Sequence, residues 1–273
     1  MSTRRPNRPA MYAVLGDPVA HSLSPAIHNA VFRATGRDAS YVARQVTAEE
    51  CGPVLRRMAL NGGGGNVTVP YKEHVLAWLD RRTSAVDATG ACNTFWARDG
   101  RVWGDNTDVE GFLGVWEAVA AGLGRDLGVL VLGAGGAARA VLFALRGSPE
   151  VDRVMLWNRN GDRARSLAER FGEPRLSRIR DWRGESPDVV VNATSAGLDG
   201  RSAPIDLLEL AAPPRSVIDL VYGKEPTPLC RQADQLGIPA RDGREMLVLQ
   251  AEASHLRWFG RPPPRGLMAR ALE

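Results

Sequence analysis

Gly128–Arg163 reads GVLVLGAGGAARAVLFALRGSPEVDRVMLWNRNGDR, in the order strand, glycine turn, helix, second strand, basic turn. Val129–Leu132 is wholly apolar, the pattern of a strand buried on both faces of a parallel sheet. Gly133, Gly135 and Ala138 fit G-x-G-x-x-[G/A]. The first glycine permits the tight turn, the second lets a pyrophosphate approach the backbone, and the small third position lets helix and strand pack closely. A helix over roughly Ala137–Leu145 points its first N–H groups at that phosphate. Val154–Trp157 is the second strand. An NAD site places an acid near the end of this strand to hold the ribose 2′-OH, but here stand Asn158, Arg159 and Asn160, with Arg163 beyond. Arginine suits a 2′-phosphate. The stretch predicts nucleotide binding with NADP favoured over NAD; the plainer alternative is a glycine-rich turn with no ligand.

The chain of 273 residues can bury a substantial core in one large or two modest domains. Composition is globular, and no apolar run is long enough to span a bilayer, so no membrane partner is expected. The basic start MSTRRPNRPA lacks a following apolar segment and reads as a frayed tail, not a secretory signal. Cys51, Cys92 and Cys230 are odd in number and widely spaced, giving neither a disulfide framework nor a zinc pattern. His21, His28, His74 and His255 form no ligand motif, so no metal is expected. A reducing cytoplasm is the simplest setting. The net charge of +4 is spread among acids and is not gathered in a stripe, which argues against nucleic acid and for anionic small molecules. Of 35 basic residues only Lys72 and Lys224 are lysines. A position that stays lysine in so arginine-rich a chain points to a need for a proton that can leave.

Along the chain, Met11–Leu15 reads as the first strand. Ser24 suits an N-cap, Pro25 the first helical position and Gly36 the stop of the next helix, leaving Ser22 without a structural reason in the preceding loop. Tyr41–Val46 is a strand and Glu49–Leu60 a helix. Gly62–Gly65 reads as a close turn before a short strand, Asn66–Val69, that puts Asn66 and Thr68 on one side. Pro70 then starts a helix with Lys72 on its first turn, against the dipole. Asn66, Thr68 and Lys72 together form a polar pocket wall. Arg98-Asp99-Gly100 turns a hairpin, and Thr107 or Asp108 begins a helix, where an acid is a good cap. Val189–Val191 and Val217–Leu220 are further buried strands, with Thr194 and Tyr222 beyond their carboxyl ends, where ligands of open α/β sheets sit. Gly243 opens a long apolar helix carrying Gln250. The domain boundary is expected after Asp108, with the chain crossing back near Asp242.

These residues resemble the shikimate dehydrogenase family nearly end to end. GDPVAHSLSPAIHN, NVTVPYKE, GACNT, GDNTD, GAGGAAR, NRN, NATSAG, DLVYGKEPTPL and GREMLVLQAE stand in the family's order and at its spacing. The resemblance implies an α/β fold of two domains: residues 1–108 with 243–273 as an N-terminal substrate-binding catalytic domain completed by C-terminal helices, and 109–242 as a Rossmann-type NADP-binding domain, with a cleft between them. It implies reversible NADPH-dependent reduction of 3-dehydroshikimate, on the route to chorismate and the aromatic amino acids, by a monomer or homodimer. It further implies Lys72 and Asp108 as the catalytic pair, and substrate contacts at Ser22, Ser24, Asn66, Thr68, Asn93, Thr107, Tyr222 and Gln250. Cofactor contacts are implied at Gly133, Ala134, Gly135, Gly136, Ala137, Asn158, Arg159, Asn160, Arg163, Thr194, Ser195 and Gly243. Asn160 stands where the family has threonine, and Gly223-Lys224-Glu225 follows Tyr222 where many members have Asn-Pro. Lys224 has no counterpart and reads as a surface residue.

The chemistry agrees with that assignment. Hydride delivery to a ketone builds negative charge on oxygen, which needs a donor and a proton source, and a lysine ammonium supplies both. The nearest alternatives are a quinate or aminoshikimate dehydrogenase, opposed on the NAD side by Arg159 and Arg163, and a non-catalytic NADP-binding sensor, opposed by the intact Lys72, Asn93 and Asp108.

Overall fold

The computed structural model describes residues 9–273. Of the frayed tail expected over residues 1–10, residues 1–8 lie outside them, and Ala10 already opens the first strand. The chain divides into two compact units, one of residues 1–107 with 251–273 and one of residues 108–250.

The first unit is built on a six-stranded sheet. In chain order its elements are β1 (Ala10–Gly16), α1 (Ser24–Ala34), β2 (Ala39–Gln45), α2 (Ala48–Leu60), β3 (Gly64–Val67), β4 (Arg81–Arg82), α3 (Ser84–Thr89), β5 (Thr94–Arg98) and β6 (Arg101–Asp105). The strand order is β2-β1-β3-β5-β6-β4, with β1 parallel to both neighbours and β5 antiparallel to β3 and β6. The side-chain period of two splits β1 between two cores. Ala13 and Leu15 pack with Val54 and Leu55 of α2, while Tyr12 and Val14 pack with Phe32 of α1. The β5–β6 hairpin turns as expected at Asp99 and Gly100, both at positive φ (53° and 69°), as a two-residue loop of this hand requires. A capping box, Thr47 with Glu50, starts α2.

Two local expectations fail here. Gly62–Gly65 is not simply a turn, because Gly64 and Gly65 already lie in β3 between β1 and β5. A Cβ at Gly65 would sit 2.1 Å from the Ala13 carbonyl oxygen and 2.9 Å from the Phe95 ring. The glycines serve strand approach. Gly65→Ala is expected to cost about 3 kcal/mol or more, since backbone has to move; a denaturant midpoint unchanged from wild type would contradict this. No α-helix follows Pro70 either. Thr68–Tyr71 forms a turn around a cis Val69–Pro70 bond, with the Tyr71 N–H donating to the Thr68 carbonyl at 3.0 Å. Only a short 3₁₀ segment, His74–Trp78, comes after it. Lys72 therefore sits in a turn, and the helix-dipole argument for it lapses.

The second unit runs α4 (Asp108–Leu123), β7 (Leu127–Leu132), α5 (Gly136–Arg146), β8 (Val151–Trp157), α6 (Gly161–Phe171), β9 (Leu176–Arg178), β10 (Val189–Asn192), β11 (Ser216–Asp219), α7 (Pro228–Gln235), β12 (Ala240–Arg241) and the start of α8 (Gly243–Phe259). All six strands are parallel, in the order β12-β11-β10-β7-β8-β9. Counted within this unit, that is the doubly wound order 3-2-1-4-5-6, with its switch point between β7 and β10. Every residue of β7 is buried. Val129 and Val131 face the layer of α4 and α5, and Leu130 and Leu132 the layer with Trp182, Leu229 and Ala233. The division between the units falls inside α8, between Gln250 and Ala251, not at its first residue. A last short helix, α9 (Leu267–Arg270), belongs to the first unit.

Candidate active site

In the first unit the polar residues singled out from the sequence gather at one end of the sheet. The Val67 N–H donates to the Asn93 carbonyl (2.8 Å), the Asn93 N–H to the Asp105 carbonyl (3.0 Å), and the Cys92 N–H to the Lys72 carbonyl (2.8 Å). These bonds tie the Lys72 turn, the end of β3 and the approach to β5 side by side. Lys72 is half-buried.

Asn93 has a determined orientation. Its Oδ1 accepts from the Thr107 N–H (2.7 Å), the Thr107 hydroxyl (3.0 Å) and the Thr94 hydroxyl (2.9 Å). With the oxygen so placed, the Nδ2 on the other side of the amide is a donor. Behind it lies a buried network. Asn66 Nδ2 donates to Thr94 Oγ1 (3.0 Å) and Ser254 Oγ (2.9 Å), while Asn66 Oδ1 accepts from the Tyr41 hydroxyl (2.7 Å). The hydroxyls of Thr94, Thr107 and Ser254 lie 2.8–3.1 Å from one another. Asn66 is thus bonded on both sides of its amide inside the network and Thr107 is fully buried, so both help to hold the polar cluster around Asn93 together. Ser254 and Tyr41 were missed, since a serine inside an apolar helix and a tyrosine in a strand carry no local signal. Arg257 donates from Nε to Asp105 Oδ2 at 2.6 Å and fixes α8 to the end of β6.

The two serines exchange roles. Ser24 is the first residue of α1, not its cap; Leu23 holds the cap position with no side-chain bond. The Ser22 hydroxyl accepts from the Ser24 N–H at 3.3 Å, so it is Ser22 that has the local structural task. Ser22 and Thr68 are half-buried and Ser24 is 5% exposed.

In the second unit the glycine turn has the form a phosphate needs. Gly133 lies at φ +116°, where a Cβ would stand 2.8 Å from the Ala193 carbonyl oxygen, and Gly135 has open space on its Cβ side. Gly136 and Ala137 form the first turn of α5, and Ala134 ends the approach from β7. Asn158 is half-buried, while Arg159 and Arg163 are exposed beyond β8. Asn160 caps α6, its Oδ1 accepting from the N–H groups of Asp162 (3.1 Å) and Arg163 (3.2 Å). An asparagine in this position has a helix-capping reason of its own. Thr194 and Ser195 follow β10, Tyr222 is half-buried after β11, and Gly243 is the first, buried residue of α8. Asp108, 5% exposed, opens α4, and Gln250 donates to the Leu247 carbonyl at 2.8 Å. A Cβ at Gly111 would stand 2.9 Å from that of Gln250, so α4 and α8 touch closely here. These features fit a dinucleotide phosphate at the α5 N-terminus and a 2′-phosphate near the arginines. Among the described residues no three His, Cys, Asp or Glu side chains gather as a metal site, and no helix is long and apolar enough to cross a membrane.

Comparison with known proteins agrees with this geometry. Residues 14–95 match the family model described as shikimate dehydrogenase substrate binding domain, and residues 121–199 the one described as shikimate / quinate 5-dehydrogenase. The chain is 41% identical over 267 residues to a shikimate dehydrogenase (NADP(+)) of Alkalilimnicola ehrlichii, covering 96% of this chain and 98% of that protein. A Thermus thermophilus shikimate 5-dehydrogenase solved in complex with NADP(H) and shikimate is 37% identical, with a TM-score of 0.84 over 96% of this chain and 97% of that one. The shikimate dehydrogenase of Aquifex aeolicus is 32% identical, with a TM-score of 0.88 over 99% of this chain and 100% of that one. With matched motifs in both units and relatives of this identity along nearly the whole length, the chain belongs to the shikimate dehydrogenase family, NADP-dependent oxidoreductases acting on a CH–OH group.

Proposed function

We propose that this chain interconverts 3-dehydroshikimate and shikimate with NADP(H), that Lys72 is the proton donor and acceptor, and that Asp108 is the accompanying carboxylate. The single observation that carries the substrate reading is the braced Asn93, whose carbonyl oxygen is held by Thr94 and Thr107 so that its amide is a donor, on a segment bonded to the Lys72 turn. Such an arrangement suits a small polyhydroxylated ring with a ketone or alcohol at the reacting carbon. Ser22, Ser24, Asn66, Thr68, Thr107, Tyr222 and Gln250 are the further substrate contacts of this reading. A bound NADPH supplies the hydride. The chain's own part is to hold the ring, to stabilise charge developing on oxygen, and to deliver the proton from Nζ of Lys72. Thr94 and Thr107 keep Asn93 from turning, and Asn66 and Ser254 hold Thr94 in turn.

The site is of small-molecule type, and a reducing, cytoplasmic setting suits the three free, buried cysteines. Titration of shikimate into the protein tests the substrate reading. Asn93→Ala is expected to weaken its binding about tenfold or more, since a buried polar partner is lost; unchanged binding would contradict the role. Cofactor choice rests on the exposed arginines. Arg159→Ala is expected to raise KM for NADP about tenfold or more while leaving NAD use unchanged, because it removes a charge-assisted bond to the 2′-phosphate. Equal effects on both cofactors would place Arg159 elsewhere.

A further inference from the structure

One fully buried carboxylate holds together the carboxyl edge of the parallel sheet in the second unit. Asp219 ends β11 and is 0% exposed. Its Oδ1 accepts from Asn192 Nδ2 (2.8 Å) and the Val221 N–H (3.0 Å), and its Oδ2 from the Thr227 hydroxyl (2.6 Å). Asn192 passes the constraint on. Its Oδ1 accepts from the N–H (3.0 Å) and the hydroxyl (2.7 Å) of Thr194, and its Nδ2 also donates to the Ala196 carbonyl (3.1 Å). The Val221 carbonyl accepts from the Gly243 N–H at 3.0 Å. Residues 192–196, 220–227 and the start of α8 therefore depend on one side chain, and between them they carry Thr194, Ser195, Tyr222 and Gly243.

In a doubly wound sheet a dinucleotide lies across the switch point, one mononucleotide on each half. The glycine turn and Arg159 belong to the β7–β8 half and fit the adenosine side. The β10–β11 half is left for the nicotinamide. We propose that Asp219 is a positioning residue for the nicotinamide half of the cofactor site, clamping the three segments that border it. This inference rests on the reading that the second unit binds NADP. A carboxylate suits the task because both its oxygens accept, whereas an amide has one accepting oxygen. Burial lifts the Asp219 carboxyl to about 6, helped by Asp242 and opposed by the bonds from Thr227, Val221 and Asn192; the Cys230 thiol of α7 also faces it. Protonation turns one acceptor into a donor, so the clamp loosens as pH falls through that value.

The test compares NADP with adenosine 2′,5′-bisphosphate, which carries the same 2′-phosphate but no nicotinamide. In the near-isosteric Asp219→Asn variant, NADP affinity is expected to fall about tenfold, with the bisphosphate bound as in the wild type. In the wild type alone, the ratio of NADP affinity to that of adenosine 2′-monophosphate is expected to fall between pH 7 and pH 5, since the 2′-phosphate is the one phosphate monoester of each and its titration at about 6 cancels. A ratio flat with pH, or equal NADP affinity in Asp219→Asn whatever its melting temperature, would overturn the proposal. Failure of the wild type to bind the bisphosphate at all would overturn the NADP reading, and the proposal with it.

Discussion

Lys72→Ala is expected to lower turnover by about 10²–10⁴-fold, the range for loss of a positioned general acid, while NADP binding and the melting temperature stay close to wild type. The structure makes the two parts separable. Lys72 is half-buried in a turn, held there through its backbone carbonyl by the Cys92 N–H, and it contributes nothing to either apolar cluster of the first unit. Truncating it removes an ammonium without opening a core cavity. Lys72→Arg adds a second arm. Arginine keeps the charge but does not give up its proton in the working range, so it should recover binding of the substrate more than turnover. A Lys72→Ala enzyme that retained most of its activity would remove Lys72 from the mechanism.

Acid is expected to destabilise the first unit strongly through two histidines. His28 is 0% exposed, stacked on Tyr41 at 4.4 Å between centroids and packed against Trp258 and Phe32, and neither ring nitrogen has a hydrogen-bond partner. Burial, reinforced by the nearby His255, pushes it down to about 3. His255, 1% exposed, is lowered to about 4 by burial, with Arg37 and Arg261 adding to the effect and its bond to the Arg261 carbonyl opposing it. Because both folded values lie below that of a free histidine, the unfolded chain binds more protons, and stability is lost as pH falls through about 6.5. Each unit below that costs about 1.4 kcal/mol per histidine, so about 2 kcal/mol apiece is expected at pH 5. Asp219 has the opposite sign, its raised value favouring the folded state on protonation between about 6 and the free carboxyl range. The histidine term is therefore read as a difference. His28→Phe, which keeps an aromatic ring in the cage, should lose about 2 kcal/mol less than wild type between pH 7 and pH 5 in urea unfolding. Identical pH slopes would contradict it.

How much of this was legible in the sequence depends on how local each signal is. The βαβ stretch was read to within a few residues because its information is local: buried strand, positive-φ glycine, small residue on the helix, arginine after the second strand. The doubly wound order fits the same reading. The Lys72 region was misread because a proline after a short strand suits a helix start as well as a turn, and nothing nearby distinguishes the two. The glycines ahead of Asn66 were misread because close approach of neighbouring strands is a tertiary fact. The sequence predicts Ser24 as a helix cap and gives Ser22 no local task, and the structure reverses the two because the helix starts at Ser24 itself. That Asn66 and Thr107 also belong to a bracing network does not show in the sequence, because polar residues near a strand end look alike whether they face a ligand or hold a neighbour. Tyr41 and Ser254 carry no motif of their own; their partners lie up to 188 residues away.

The most direct test offers shikimate and quinate, each with NADP and with NAD, and follows absorbance at the reduced-nicotinamide band. The account predicts rapid reduction of NADP with shikimate and little in the other three pairings. No turnover with shikimate and NADP, in a protein that still binds NADP, would contradict it and leave a cofactor-binding sensor on the same fold.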